Sequence, residues 1–399
     1  MSYQVVPRNN TQNNMRQLNI LIILETLNLG GAQTHVVTLS KALTLKGHNI
    51  SIVSGGGELV EKVTSFGVRH YQLPLNKKSM LPYSTMHLIR IIKAEKISIV
   101  HSHPRLKPIL TGYLASAISH IPCVTTVHTI FPVLFNYRYL NYTAEKIIAV
   151  SSEVKNYLTS NCKIKEENIE IVYNGIDLHD FMSPKKMKSE SSSSYNALKI
   201  LYISRLDKGK INAIINFINT IPILYKEVPN VKVVIVGTGT EFDKIESLVK
   251  EKNTQISRAV ICMYGASKDV AKLMQSAEAV IGIGRVIIEA MACGKPAIVF
   301  GSSIVNHGGI EEHFGGIVTE ENVMEMKEYN FTGRNCSDIA SPDNIASAVI
   351  ELATNEKKRV ELGIFGRKFV EKELSIDKIA EQTEQIYLNI QRKRVKSSY

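Results

Sequence analysis

A regular alternation of short apolar runs with longer amphipathic segments constrains this sequence most, and it occurs twice. The first series begins at Leu18–Leu24 ("LNILIIL") and the second at Leu198 ("LKILYIS"). Continuous apolar runs of this length are typical of parallel strands that are buried on both faces. Strands alternating with helices predict βαβ units. We therefore predict an α/β chain with two doubly wound parallel sheets.

A polar stretch separates the two series. Ser183–Ala197 ("SPKKMKSESSSSYNA") is rich in serine and lysine and has no apolar periodicity, as in a linker. The predicted division is a tail at 1–17, an N-terminal Rossmann-like domain at 18–183, a linker at 184–197, a C-terminal Rossmann-like domain at 198–372, and a helix with a basic tail at 373–399. Ligands bind beyond the carboxyl ends of parallel strands, so two such domains predict a cleft suited to group transfer.

Composition excludes several classes of protein. The 399 residues are 44% hydrophobic and 21% charged, which is ordinary globular usage. Five scattered cysteines without C-x-x-C spacing favour reduced thiols in a cytoplasmic protein without a structural metal. No apolar run is long enough to span a bilayer, and the polar N-terminus does not resemble a signal peptide.

The net charge of +11 leaves three classes of partner open: nucleic acid, an anionic membrane face and small anionic substrates. An excess of surface lysine without a partner is equally compatible with the charge. No basic run is interleaved with aromatic residues, so we expect no nucleic-acid partner.

Two glycine turns each follow a predicted strand and precede a predicted helix. Gly30 and Gly31 form the first turn, and Gly282 and Gly284 form the second. Glycine allows the backbone to approach a phosphate closely, and a helix N-terminus favours an anion. Glycine is also common in any strand-to-helix turn, so each pair alone is a weak signal.

Several polar side chains are predicted at strand ends. Arg205 and Lys210 flank the turn after the first strand of the second domain, where two cations suit a pyrophosphate or an ordinary solvated turn. His128 follows a strand of the first domain, and His103 follows another, with a buried structural role as the alternative for a lone histidine. Glu289 lies one turn into the helix after Gly284 and is suited to a ribose diol or to the helix dipole.

The sequence contains no D-x-D pair, which commonly holds Mg²⁺ or Mn²⁺ on a diphosphate. Cationic side chains and helix ends would then take the place of a metal ion. We therefore expect no metal and no cofactor, with the donor as a substrate.

Taken together, these motifs resemble the family-4 retaining glycosyltransferases of the GT-B fold. The resemblance extends from about Leu18 to Leu388 and includes "LNLGGAQTH", "VHSHPRLKP", "YNGID", "LYISRLDKGK" and "EAMACGKPAIVFG" in the family's order. It implies two Rossmann-like domains facing across a cleft. It also implies a final helix, from about Ile376, that crosses back to the N-terminal domain.

The resemblance also implies residue roles. Gly30 and Gly31 match the loop that approaches the donor diphosphate. His128 matches a histidine that contacts the donor sugar. Arg205 and Lys210 match the pair that neutralises the leaving diphosphate.

Two further residues have counterparts in the family. Glu289 matches the glutamate that holds the nucleotide ribose, and Asn174 matches an asparagine of the inter-domain region. His103 and Asn174 are candidates for the acceptor side or the cleft.

The chain departs from the family at one glutamate. The family has two glutamates separated by seven residues, and the first, which contacts the transferred sugar, is Ile281 here. Arg285 occupies a position that is usually apolar, beside the predicted diphosphate turn. We expect a variant active subgroup in which Arg285 faces the phosphates.

The expected activity is metal-independent transfer of a hexose-type sugar, with retention, from a nucleotide-sugar, by default a UDP-sugar. The acceptor would be a hydroxyl of a glycan, a lipid-linked molecule or a cell-surface polymer. Asn76–Lys96, where cations flank apolar residues, is a candidate for peripheral contact with an anionic inner membrane face or an ordinary surface helix.

Alternatives remain open. One is a catalytically impaired nucleotide-sugar-binding partner protein, which the loss of the first glutamate favours. Another is a nucleotide-sugar epimerase. The sequence does not determine the sugar, the base, the acceptor or the oligomeric state.

Overall fold

A computed structural model of the chain describes residues 17–103, 106–130, 140–182, 198–267, 269–304, 309–336 and 340–397. Residues 1–16 of the predicted tail, the predicted linker 184–197 and the last two residues of the predicted basic tail lie outside this description.

The N-terminal sheet has seven parallel strands. They are β1 (Asn19–Ile23), β2 (Asn49–Ser54), β3 (Arg69–Gln72), β4 (Ile99–Ser102), β5 (Cys123–Val127), β6 (Lys146–Ala149) and β7 (Ile169–Ile171). Their order across the sheet is β3-β2-β1-β4-β5-β6-β7. The helices between them are α1 (Gly31–Leu45), α2 (Val60–Thr64), α3 (Leu81–Ala94), α4 (Leu106–Ile118), α5 (Leu140–Thr143) and α6 (Ser152–Ser160).

The C-terminal sheet has six strands. They are β8 (Leu198–Ile203), β9 (Val231–Val236), β10 (Ile261–Gly265), β11 (Ala279–Gly282), β12 (Ala297–Ile304) and β13 (Ile310–Ile317), in the order β10-β9-β8-β11-β12-β13. The helices are α7 (Ile211–Glu227), α8 (Phe242–Ile256), α9 (Val270–Gln275), α10 (Arg285–Ala292), α11 (Val323–Glu328), α12 (Pro342–Thr354) and α13 (Glu356–Glu373). Both orders reverse direction beside the first strand, as in doubly wound folds.

Three strands at the edges of the sheets were not predicted: β3, β7 and β13. β13 pairs antiparallel with β12 at the edge of the second sheet. Its sequence, "IEEHFGGI", lacks a continuous apolar run, and its first residues are exposed. An edge strand needs no apolar residues on both faces, which is why its composition did not reveal it.

The central strands explain why the sheets form. In β1, Ile20 lies opposite Ile50 of β2 and Ile99 of β4, and all three side chains are buried. Alternate residues of β1 pack into separate apolar clusters on the two faces of the sheet. This two-sided burial requires the continuous apolar run seen in the sequence.

The final helix crosses back to the N-terminal domain, as predicted. α14 (Ile376–Ser397) packs against α1 and buries Ile379 and Tyr387. Its buried Glu384 accepts from Lys46 at 2.9 Å and lies 3.0 Å from Nε2 of His48. Buried carboxylates need such partners, so the middle of α14 is fixed to the end of α1.

The two chain crossings between the domains are paired with each other. Ile176 donates its amide to the carbonyl of Leu374, and Ile376 donates to the carbonyl of Ile176, both at 2.9 Å. A Cβ atom at Gly175 would lie 2.9–3.0 Å from side-chain atoms of Ile376 and Ile379. The domains are therefore joined by a tightly packed parallel bridge.

Among the described residues, no helix is both long enough and apolar enough to cross a membrane.

Candidate active site

The first glycine turn opens α1 at the carboxyl end of β1. α1 begins at Gly31 after an extended Gly30 and has no side-chain cap, so its first amides point out of the helix end. A Cβ atom at Gly31 would meet nothing within 4 Å, whereas one at Gly30 would clash with Gln33 Oε1 at 2.5 Å. Gly31 thus borders open space, and its approach to a diphosphate stays a prediction.

Three histidines cluster at the same edge of the N-terminal sheet. His103 and His128 follow the neighbouring strands β4 and β5, and His103 Nδ1 lies 2.9 Å from His128 Nε2. His35 of α1 joins them, with its ring 5.2 Å from that of His128. His35 was missed from the sequence because it lies inside an apparently ordinary amphipathic helix.

A fourth histidine lies beneath this cluster. His101, the third residue of β4, is fully buried. Its ring nitrogens lie 2.6 Å from the Tyr387 hydroxyl of α14 and 2.7 Å from the Thr126 hydroxyl of β5. The C-terminal helix is thereby hydrogen-bonded to a strand that positions His103.

All four histidines are held neutral. Burial, with a smaller effect of His128, lowers the pKa of His101 to about 3. Burial lowers the pKa of His128 to about 4, and the Asn174 side chain opposes the fall. Burial lowers the pKa values of His35 and His103 well below the usual value. Positive charge on the neighbouring histidines lowers both further, and the Arg285 guanidinium also acts on His35. Neutral imidazoles offer one donor and one acceptor each, which suits hydroxyl groups.

Two polar atoms of this cluster are buried without a partner among the described residues. They are His35 Nδ1 and His103 Nε2, whereas the Asn174 side chain interacts with His128. Buried polar atoms are normally hydrogen-bonded, so such a concentration points to a polar ligand.

The cation pair lies at the carboxyl end of β8. The Arg205 side chain is 72% exposed and pairs with Asp207. The Lys210 ammonium donates to the carbonyl of Ser302 at 2.7 Å. Burial, aided by Arg334 and Arg205, lowers the pKa of Lys210 to about 8. The turn after β8 packs closely against the turn after β9, since a Cβ atom at Gly237 would lie 1.9 Å from the Ser204 carbonyl oxygen.

The second glycine turn differs from its predicted form. Gly284 has a φ of +63°, which favours glycine, but its amide donates to the carbonyl of Phe331 at 2.8 Å. A Cβ atom at Gly282 would lie 2.7 Å from Val286. Gly282 therefore serves close packing, and the Gly284 amide already has a protein acceptor.

Arg285 and Glu289 bind each other. Nε of Arg285 donates to Oε1 of Glu289 at 2.8 Å, and Nη1 donates to the carbonyl of Gly175 at 2.9 Å. Burial raises the pKa of Glu289, and the Arg285 guanidinium opposes this rise. Arg285 was expected to face the diphosphate, but its guanidinium lies along its own helix against the inter-domain connection. The ribose role of Glu289 stays a prediction.

Ile281 lies where the family has its first glutamate. Its side chain is fully buried in the C-terminal core, in contact with the apolar layer that includes Tyr202 and Phe217. The loss of the glutamate is thus accommodated by core packing rather than by a polar substitute at the same position.

Further polar and charged residues beside the cleft were not identified from the sequence. Arg334 forms a two-pronged ion pair with Glu153 of α6, across the domain boundary. Asn330 accepts from Asn174 at 3.2 Å, also across the boundary. Such pairs join residues more than 150 positions apart, which no local motif can reveal.

The predicted residues are therefore brought to one region, at the carboxyl ends of both sheets and at the connection between them. Within the described ranges, no group of three or more His, Cys, Asp or Glu side chains is arranged to hold a metal ion. Metal independence remains a prediction. A cavity of about 630 Å³ lies elsewhere, along the later part of α1 beside Asp177 and Arg367, and contains none of the predicted site residues.

Comparison with known proteins identifies the chain. The family model described as Glycosyltransferase Family 4 matches residues 29–180, and the model described as Glycosyl transferases group 1 matches residues 197–355. N-acetyl-alpha-D-glucosaminyl L-malate synthase of Bacillus anthracis is 26% identical over 388 residues, covering 91% of this chain and 95% of that protein.

Solved structures agree on the fold. A glycosyltransferase from Rickettsia africae ESF-5 has a TM-score of 0.74 and 20% identity, covering 94% of this chain and 99% of that one. Anabaena HepE in complex with UDP has a TM-score of 0.70 and 18% identity, covering 93% and 100%. The chain therefore belongs to the family-4 type of glycosyltransferases and has the GT-B fold.

Proposed function

We propose that this protein is a retaining, metal-independent glycosyltransferase that moves a hexose-type sugar from a UDP-sugar to a hydroxyl group. The acceptor would be a glycan, a lipid-linked molecule or a cell-surface polymer. The proposal goes beyond the family assignment in its stereochemistry, its donor and its acceptor class.

One observation carries the proposal. In the C-terminal domain, Arg205 and Lys210 follow the carboxyl end of a strand. In the N-terminal domain, neutral His103 and His128 follow the carboxyl ends of two neighbouring strands. Cations suit a diphosphate, whereas neutral imidazoles suit sugar hydroxyls, and Nε2 of His103 is buried without a partner among the described residues. A nucleotide-sugar has both kinds of group, joined at the bond that is transferred.

The cations would stabilise the leaving group. In the proposed step the bond from the sugar's anomeric carbon to the diphosphate oxygen breaks, and a bond to the acceptor oxygen forms on the same face. The acceptor proton passes to the departing diphosphate oxygen. Charge that develops on this oxygen would be stabilised by Arg205 and Lys210, an effect that is usually the largest catalytic contribution.

The position of the family's first glutamate supplies no nucleophile in this chain, because Ile281 occupies it. An apolar side chain inside the core cannot attack the anomeric carbon. Retention would then follow from attack on the same face as the leaving group. His128 would contact the transferred sugar, and His103 or Asn174 would face the acceptor side.

Uridine is the base proposed for the donor. The similar HepE structure is a complex with UDP, and another solved form of that protein contains UDP-glucose. The Bacillus anthracis relative is named for an N-acetylglucosaminyl product. These names support a UDP-sugar without selecting its sugar.

Two measurements test the proposal. Thermal unfolding is followed with UDP, GDP and ADP, since a bound ligand raises the midpoint by mass action. The anomeric configuration of the product is then determined by NMR, with the Lys210→Ala variant as the inactive control. Stabilisation by UDP and a retained configuration are expected. An inverted product would refute the mechanism, and the absence of stabilisation by any nucleoside diphosphate would refute the donor class.

A second candidate function is a nucleotide-sugar-binding partner protein without turnover. The replacement of the family's sugar-contacting glutamate by buried Ile281 favours it. UDP release from UDP-sugars, measured with and without a panel of hydroxyl acceptors, distinguishes the two. Binding of UDP without acceptor-dependent release would support the partner protein.

Peripheral membrane contact through α3 is part of the proposal. The helix buries Leu88 and Ile92 but exposes Tyr83 and Met86, and Arg90 lies beside Met86. Exposed apolar residues next to cations suit an anionic lipid surface. Flotation with vesicles of phosphatidylglycerol should carry the protein upward, and flotation with phosphatidylcholine alone should not. A protein that stays at the bottom with both would exclude this contact.

A further inference from the structure

The turn formed by residues 330–334 ("NFTGR") has an unusual backbone. Asn330 and Phe331 both have a φ of +52°, and Gly333 has a φ of +79°. Positive φ values in residues other than glycine are strained and persist only where the surroundings hold them. The Phe331 side chain is almost fully buried, and its amide donates to the carbonyl of Met326 at 2.7 Å. The turn is therefore held firmly in place.

This turn contacts the three parts of the molecule that meet at the cleft. The Phe331 carbonyl accepts from the Gly284 amide of the second glycine turn at 2.8 Å. Asn330 accepts from Asn174 of the inter-domain connection. Arg334 reaches α6 of the N-terminal domain, where it binds Glu153.

The Arg334–Glu153 pair is well formed and shielded. Arg334 donates from Nε and Nη2 to the two carboxylate oxygens of Glu153. The two side chains are only 9% and 11% exposed. Planar two-pronged pairing is the geometry by which arginine recognises both carboxylates and phosphates.

Arg334 also belongs to the neighbourhood of Lys210. A Cβ atom at Gly333 would lie 3.0 Å from Cβ of His313. His313 pairs with Gly301 in the sheet, and the next residue of that strand, Ser302, accepts the Lys210 ammonium. Arg334 contributes to the lowered pKa values of both Lys210 and His313. The cations Arg205, Lys210 and Arg334 are thus grouped at one mouth of the cleft.

We propose that Arg334 is a third cation for the donor diphosphate, and that the Glu153 carboxylate occupies it when no donor is bound. The inference rests on the proposed function, since it assumes a nucleoside diphosphate as ligand. Its basis is that arginine binds a carboxylate and a phosphate with the same two-pronged geometry, and that the firmly held turn places Arg334 near Lys210. Glu153 is then a positioning residue that competes with the substrate.

The exchange has a consequence for the domains. When the diphosphate takes Arg334, Glu153 is released, and α6 loses its ion pair to the C-terminal domain. Donor binding and the contact between the domains are therefore coupled. Such coupling acts in both directions by linkage.

Isothermal titration with UDP tests the proposal on four proteins: the wild type, Glu153→Gln, Arg334→Gln and the double variant. Glu153→Gln is expected to bind UDP about tenfold more tightly than the wild type, because it removes the competing charge while keeping the side-chain shape. Arg334→Gln is expected to bind severalfold more weakly. In the double variant, the gain from Glu153→Gln should vanish.

Matched controls separate this effect from a general change in charge. Asp180→Asn removes the carboxylate of a different, exposed ion pair, which Asp180 forms with Lys62. This variant should bind UDP with the affinity of the wild type. Glu153→Asp shortens the carboxylate arm and should shift affinity in the direction of Glu153→Gln by a smaller factor. It also covers the case in which Glu153→Gln does not fold.

The outcomes distinguish two failures. If the wild type binds UDP but Glu153→Gln binds it equally or more weakly, the pair is only a contact between domains and the inference is refuted. A gain that persists in the double variant would refute it as well. If the wild type binds no nucleoside diphosphate, the proposed function itself fails and the inference fails with it.

Discussion

The buried histidines should make the fold sensitive to mild acid. His101 is the best-defined case, since it is fully buried between the hydroxyls of Thr126 and Tyr387. Its pKa is about 3 in the folded protein, against an ordinary value of 6.5. The unfolded chain therefore binds a proton at this residue at mildly acidic pH, whereas the folded chain does not.

The sign and size follow from linkage. The stabilisation associated with neutral His101 is complete above pH 6.5 and is lost as the pH falls from 6.5 towards 3. At about pH 5 the loss from this residue is about 2 kcal/mol relative to neutral pH. This is a large fraction of the stability of an ordinary domain.

Neighbouring groups act in the same direction. His35, His103 and His128 also have lowered pKa values, and Arg285 lowers that of His35. The total acid sensitivity therefore exceeds the contribution of His101. A single variant removes that contribution together with the effect of a charged His101 on the pKa values of His35 and His103.

The assay is urea unfolding followed by far-UV circular dichroism, since the chain has no tryptophan. The free energy of unfolding is measured at about pH 7.5 and about pH 5 for the wild type and for His101→Gln. His101→Gln is expected to be less stable at the higher pH but to lose about 2 kcal/mol less on acidification.

The control is His120→Asn, which changes an exposed histidine with a φ of +55° to a residue that tolerates this conformation. It should retain the pH dependence of the wild type. If His101→Gln lost as much stability on acidification as the wild type, His101 would not be held neutral by the fold, and the reasoning would be wrong.

Two further predictions concern the donor site and the connection between the domains. The affinity for UDP should fall about tenfold between pH 7 and pH 9, because the Lys210 ammonium loses its proton near pH 8. The affinity of Lys210→Arg for UDP should not change with pH over the same range, because arginine stays protonated. A pH-independent affinity in the wild type would show that Lys210 does not bind the diphosphate. Gly175→Ala should lower the free energy of unfolding by about 1–3 kcal/mol, because its Cβ would overpack Ile376 and Ile379. Gly31→Ala, which meets no neighbouring atom, is the matched control, and equal stabilities of the two variants in urea would contradict the packing argument.

Much of the fold could be predicted because its pattern is local. Each buried parallel strand requires a continuous apolar run, and each run stands in the sequence as a contiguous segment such as Leu18–Leu24. The edge strands Arg69–Gln72, Ile169–Ile171 and Ile310–Ile317 were missed because an edge position relaxes that requirement. The doubly wound arrangement and the returning helix were confirmed.

The site was predictable where residues follow a strand directly. His103, His128, Arg205 and Lys210 stand at strand ends in the sequence, and the carboxyl ends of parallel strands share one edge. Topology therefore places the two histidines at one edge of the first sheet and the two cations at one edge of the second sheet. The chemical role of each remains a prediction.

The rest depends on contacts between distant segments. The partners of Arg285 could not be predicted because they include the Gly175 carbonyl, 110 residues away, and its role toward the diphosphate stays a prediction. His35, Glu153 and Arg334 were not identified because their partners lie on other elements. No spacing rule connects α6 with a turn near the end of the second domain.

The paired crossings at Ile176 and Ser375 also define how the two halves can move. Two adjacent chain segments joined by backbone hydrogen bonds resist sliding and stretching, so we expect this bridge to act as a pivot for rotation of the two halves. Displacement then grows with distance from this bridge. A pair of distance probes far from residue 176, one on each half, would therefore show a larger change in distance on opening than a pair beside the bridge.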